Sequence, residues 1–154
     1  MSQVRGYRLV KRKWLRDAFD GEGARLYGGR WNSKGNACVY LASAESLAML
    51  EMMVHMQDYR LLENYALFEV TFDENALLQL PDDQLSDDWR VEPAPSSTAA
   101  IGDSWLESQL SLVLAVPSVV VPRETNYLIN PSHTDFEAMT NVAKEIDFAP
   151  DKRL

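Results

Sequence analysis

Short runs of this chain alternate apolar and polar residues, and a few longer ones do not. Residues 6–10 (GYRLV) read as a short strand carrying Arg8, and residues 37–42 (ACVYLA) as a buried strand. On the second, Tyr40 shares a face with Cys38 and Ala42, opposite Val39 and Leu41. Residues 65–72 (YALFEVTF) alternate again. Residues 116–122 and 124–133 predict two more strands, the first confined to an edge or an irregular path by Pro117 and Pro122. From Ala44 to about Gln57 the apolar residues fall on nearly every side of a helix, which predicts a buried one. Ser43 is its expected cap, with Glu45 in the first turn. A second helix is expected from Asp103 or Ser104, with Leu106, Leu110 and Val113 on one face. Residues 20–36 are glycine-rich and read as irregular. Residues 73–100 are acidic, then rich in Pro, Ser, Thr and Ala, and predict a long exposed connection. After His133 helix and strand are both open. The order predicts an α+β fold, with residues 1–154 as one compact domain and a mixed sheet flanked by helices.

Charge narrows the function classes. A net charge of −8 argues against direct nucleic-acid binding, which needs a basic footprint. The charge is uneven. Arg5, Arg8, Lys11, Arg12, Lys13 and Arg16 cluster at one end, and Asp73 to Asp103 is acidic. Each cluster is either solvated surface or a contact, the first with an anionic ligand and the second with a partner. No apolar run approaches the ~20 residues of a membrane helix, so no membrane partner is expected. With no apolar stretch behind the basic segment and only Cys38 for a thiol, a cytoplasmic location is expected.

Few residues could carry chemistry. Glu51 is the only charge between Ser46 and Val54, on a helix with little polar face. It must be paired, protonated, or aimed into a wet cleft. Arg30 is its natural partner, following Gly28 and Gly29 in RLYGGRWNSKG (25–35). A guanidinium beside free glycine amides also suits a phosphate or carboxylate. Tyr40 is either core or a flat platform for an aromatic ring. Ser118, between Pro117 and a run of valines, is either structural or a hydrogen-bonding group. His55 and His133 with one cysteine form no metal cluster, so no metal site is expected.

These segments together resemble the RES domain, named for an arginine, a glutamate and a serine. The stretches that match are GYRLV, RLYGGRWNSKG (25–35), VYLASAESLAMLE (39–51), GDSWL (102–106) and VPSVVVPRETNYLINPSH (116–133). The resemblance implies a fold like that of ADP-ribosyltransferases. It also implies a bacteriostatic toxin of a type II toxin–antitoxin system that degrades NAD by cleaving the nicotinamide–ribose bond, as a glycohydrolase or phosphorylase. The alternatives are an ADP-ribosyltransferase acting on a protein and a non-enzymatic nucleotide-binding module. NAD would be substrate, with no further cofactor. The implied partner is an Xre-type antitoxin with a helix-turn-helix, and a homodimer within the complex is possible. The family's arginine falls on Arg30, its tyrosine on Tyr40, its glutamate on Glu51 and its serine on Ser118. Arg30, Tyr40 and Glu51 are then catalytic. Arg8, Arg30, Tyr40, Ser118 and Asn126 would bind NAD, with Arg8 and Arg30 on the pyrophosphate. Asn130 and His133 match the same segment without an assigned role. The family's Phe–Asp–Pro–Arg-like tail is replaced here by FAPDKRL.

Overall fold

The structure, a computed structural model, describes residues 2–154. Seven strands form one sheet in the order β4-β5-β6-β2-β1-β3-β7. They are β1 (Gln3–Lys11), β2 (Val39–Ala42), β3 (Tyr65–Asp73), β4 (Leu77–Gln79), β5 (Val113–Pro117), β6 (Thr125–Ile129) and β7 (Lys144–Ile146). All neighbours are antiparallel except β4 and β5. The α+β architecture with a mixed sheet is the one the residue pattern predicts. Both edges, β4 and β7, are three residues long, which leaves little unpaired backbone for another chain to copy.

Four helices are packed around the sheet: α1 (Glu22–Tyr27), α2 (Glu45–Met53), α3 (Ser96–Ser108) and α4 (Phe136–Asn141). On one face, α2 and a 3-10 turn at Tyr59–Asn64 cover Leu9, Ala42 and Leu67 through Leu47 and Leu62. Beside them on that face, α3 and the 28–36 loop cover Cys38, Leu114, Val116 and Leu128 with Trp31, Trp105 and Leu106. The opposite face carries Val39, Leu41, Val70, Phe72 and Ile129 and is backed by α4 through Met139 and Phe136. The helices α2 and α3 thus cover neighbouring parts of the same sheet face.

Several expectations are corrected. The α2 helix ends at Met53 rather than near Gln57, and Ala44, not Ser43, precedes it without a side-chain cap. Ser43 lies just beyond β2, its N–H donating to the Thr125 carbonyl at 3.0 Å. Nor is α2 buried all round. Leu47 and Ala48 are buried, but Leu50 is 40% and Val54 58% exposed, because only one side of the helix meets β1 and β2. The α3 helix starts at Ser96, just after Pro95, seven residues before Asp103. Leu110 and Val113 lie beyond its end. Residues 73–100 are no structureless connection: 3-10 turns at Glu74–Ala76 and Asp82–Gln84 flank β4, and Leu80 is buried. The strand expected at 116–122 is β5, which runs earlier and lies inside the sheet, with Pro117 as its last residue. The irregular 20–36 segment contains α1. The open region after His133 resolves into α4 and β7.

Candidate active site

The glycine loop is built onto Tyr40. Gly28 takes a left-handed φ of 73°, and a Cβ at Gly29 would lie 2.7 Å from the Tyr40 hydroxyl. That hydroxyl donates to Asn32 Oδ1 and accepts from the Trp31 N–H at 3.3 Å. Burial holds the hydroxyl well above the ordinary tyrosine range, so it stays neutral. Asn32 is itself buried, its amide donating to the carbonyls of Ala24 at 2.8 Å and Asn36 at 3.0 Å.

From the other side α3 clamps the same loop. The Thr98 hydroxyl donates to the Arg30 carbonyl at 2.6 Å. Asp103 accepts from the Ser33 N–H at 2.9 Å, the Ser33 hydroxyl at 2.5 Å and the Asn36 amide at 2.9 Å. Those bonds keep its carboxyl below the ordinary range although burial opposes them. Gly102 lets the helix touch the loop: a Cβ there would lie 1.5 Å from the Trp31 carbonyl oxygen.

The Arg30 backbone is therefore fixed, and its side chain runs to a third segment. Its guanidinium donates to the carbonyls of Trp89 at 3.0 Å and Val91 at 2.8 Å, and to the Glu92 carboxylate at 2.6 Å. The neighbouring Arg90 donates to the Val119 carbonyl at 2.9 Å, in the turn after β5. Residues 89–92 are thus fastened to both the glycine loop and the 118–121 turn. The expected Arg30–Glu51 pair is corrected: Arg30 pairs with Glu92.

Glu51 follows Leu47 by one turn of α2 and is half-buried. Its Oε2 accepts a hydrogen bond from the Asn126 amide. Register places Asn126 opposite Ala42 and Leu128 opposite Tyr40, so Tyr40 and Asn126 share a sheet face as diagonal neighbours. The fold brings Glu51, Asn126, Tyr40 and the loop bearing Arg30 to that face.

Other expected residues do different work. Arg8 follows Tyr7 on β1 and so points from the opposite face. Its guanidinium donates to the carbonyls of Ala18 at 2.7 Å and Tyr40 at 3.0 Å, bracing β2 from behind. Desolvation lowers its pKa. Ser118 is fully buried and its hydroxyl oxygen accepts the N–H groups of Val120 and Val121, both at 3.1 Å, which caps the turn. Asn130 ties Leu106 to Ser132. His133 Nδ1 accepts from the Asp135 N–H at 3.1 Å at the start of α4. Asn32, Thr98, Glu92, Gly102 and Asp103 escape a reading of the sequence as site-building residues, because their partners lie far away along the chain. Two shallow surface clefts, one by Phe19 and Phe136 and one by Asn36 and Asn130, are not lined by Arg30, Tyr40 or Glu51.

Glu51, Tyr40 and the loop bearing Arg30 thus lie on one face of a mixed sheet in an α+β protein. Residues 5–151 match the RES domain family. The chain is 45% identical to Toxin Res of Yersinia enterocolitica serotype O:8 / biotype 1B over 148 residues, covering 96% of this chain and 97% of that one. It is 41% identical over 127 residues to the Prs ADP-ribosylating toxin of a Sphingobium species, covering 80% and 79%. In fold it is similar to a chain of the M. tuberculosis MbcT–MbcA toxin–antitoxin complex, with a TM-score of 0.71 and 24% identity over 94% of this chain and 85% of that one. The chain belongs to the RES-domain family and stands among that family's toxins.

Proposed function

We propose that this chain is a toxin that breaks the nicotinamide–ribose bond of NAD and is held in check by an antitoxin. The observation that carries the reading is one half-buried carboxylate, Glu51, set against the sheet face that bears Tyr40 and the Arg30 loop. As the bond breaks, its electron pair leaves with nicotinamide, which departs neutral, and the ribose gains oxocarbenium character. Glu51 stabilises that charge and accepts a ribose hydroxyl. Tyr40 offers an aromatic wall. Arg30 has the fork that fits a pyrophosphate, once Glu92 yields it. Arg8 and Ser118 serve this site by bracing β2 and shaping the 118–121 turn.

The acceptor comes from outside the chain. Burial pushes the Cys38 thiol up to about 12, too high for a nucleophile. Water as acceptor gives ADP-ribose and a proton, and phosphate gives ADP-ribose-1″-phosphate. The name of the Sphingobium relative favours a second reading, in which a protein side chain is the acceptor.

Mass spectrometry of NAD incubated with the pure chain, with and without phosphate, tests these readings. Free ADP-ribose or its 1″-phosphate supports the first, and mass added to a protein supports the second. NAD left intact throughout overturns both. Induced alone in a bacterium, the chain is expected to lower NAD and stop growth.

The Toxin Res relatives and the toxin–antitoxin complex of similar fold support a restraining partner. An Xre-type, basic, DNA-binding antitoxin fits the exposed Asp82, Asp83 and Asp87, since complementary potentials speed encounter. A plug in the cleft predicts that the co-purified complex turns over no NAD. Turnover as fast as that of the free chain would sink the plug.

A further inference from the structure

Asn126 is a polar residue in an aliphatic place. It stands on β6, an interior strand, opposite Val116 of β5 and Ala42 of β2. Its amide nitrogen donates to Glu51, and its Oδ1 is buried without a partner. A carboxylate only accepts, so the amide must turn its nitrogen towards Glu51 and leave its oxygen sealed inside. A β-branched aliphatic residue would suit such a strand better and would orphan nothing. Within the fold the amide has a single use, and that use is Glu51.

We infer that Asn126 is a positioning residue for Glu51, and the inference rests on the NAD reading above. Glutamate has three rotatable bonds, and on a helix with a partly exposed face its carboxylate could point in several directions. One N–H on a strand hydrogen-bonded along both sides fixes the direction. The bond runs from the sheet to the helix, so it also ties α2 to β6 beside the carboxylate. The carboxylate Oε1 has no hydrogen bond from the protein comparable to the one on Oε2, and it is the oxygen offered to a ribose hydroxyl.

The test separates donor from shape. Asn126→Asp keeps size and shape but can only accept, and it faces another carboxylate. Asn126→Ala removes the group and introduces no charge, so it decides the matter if the Asp variant does not fold. Each is expected to lose about 100-fold in kcat for NAD, the scale of a misplaced reacting group, with KM within about 3-fold of wild type. Thermal unfolding of Asn126→Ala should stay near that of wild type. In the free protein, the side-chain amide signals of Asn126 should move in a ¹⁵N spectrum when Glu51 is replaced by Ala, without any substrate present.

Wild-type kcat in Asn126→Ala overturns the inference. So does an amide signal that ignores Glu51, or a loss seen only as unfolding with full activity per folded molecule. If the wild-type chain itself leaves NAD intact, the NAD reading falls and the positioning role falls with it. That outcome is told apart by the wild type alone, before any variant is made.

Discussion

The Arg30 site and the Glu51 site are in opposite states. At one, the guanidinium of Arg30 already has three acceptors, two carbonyls and the Glu92 carboxylate. At the other, Glu51 is held by a single amide whose own oxygen has no partner. The first site is satisfied without a ligand, and the second is held ready at some cost. An anion arriving at Arg30 therefore has to replace something of its own kind, whereas a hydroxyl arriving at Glu51 displaces nothing from the protein. On the NAD reading proposed above, affinity would be set largely by what Arg30 gives up, and rate by how firmly Glu51 is aimed.

The sharpest way to break this contrast is Glu51→Gln. The new side-chain oxygen can still accept from Asn126, so the fold should hold while the charge is lost. A drop in kcat of about 1,000-fold with little change in thermal stability is expected from activity and melting measurements. A stable protein with full activity would make both sites merely structural.

Arg30→Lys comes next. It keeps the charge but loses the fork that reaches two carbonyls and a carboxylate at once. We expect KM for NAD to rise about 10-fold, and residues 86–95 to exchange amide hydrogens faster. A protected segment with unchanged KM would mean that Arg30 does not bind substrate.

Glu92→Ala acts in the other direction. Glu92 is 78% exposed, so its pair with Arg30 is screened and is worth no more than about 1 kcal/mol. Freeing Arg30 should lower KM by about 2- to 5-fold with kcat unchanged. A raised KM would show that Glu92 orients the guanidinium rather than competing for it.

The last expected effect, on stability alone, lies at the 118–121 turn. Ser118→Ala leaves the N–H groups of Val120 and Val121 without their acceptor and should cost about 1–2 kcal/mol in equilibrium unfolding.

How far the sequence reaches can be read from the same residues. The strands β1, β2 and β3 are legible as short apolar and aromatic runs, although both of their faces are partly buried. Glu51 and Arg30 are conspicuous as residues, one for its lone charge in an apolar helix and the other for the glycines before it. Their mutual contact is not legible, and it does not form. Arg30 finds Glu92, 62 positions away, and Glu51 finds Asn126, 75 away. No local period encodes such distances. Asp103 misleads for a related reason. It looks like a helix cap, but its carboxylate serves Ser33 and Asn36 across the molecule. Strand β4 is hidden by its brevity, being ordered by its pairing with β5 and not by a pattern of its own. Ser118 stands out between prolines and valines, yet its burial and two backbone bonds cannot be read from that position.

Gly102 carries a consequence for heredity. Any single-base change of a glycine codon that alters the residue adds a Cβ, and a Cβ here meets the Trp31 carbonyl oxygen at 1.5 Å. The helix and the loop must then separate, and the Arg30 loop moves with them. In a culture plated to select survivors of unrestrained expression, the codon for residue 102 is expected to recur among the escape mutations, though its side chain takes no part in the chemistry.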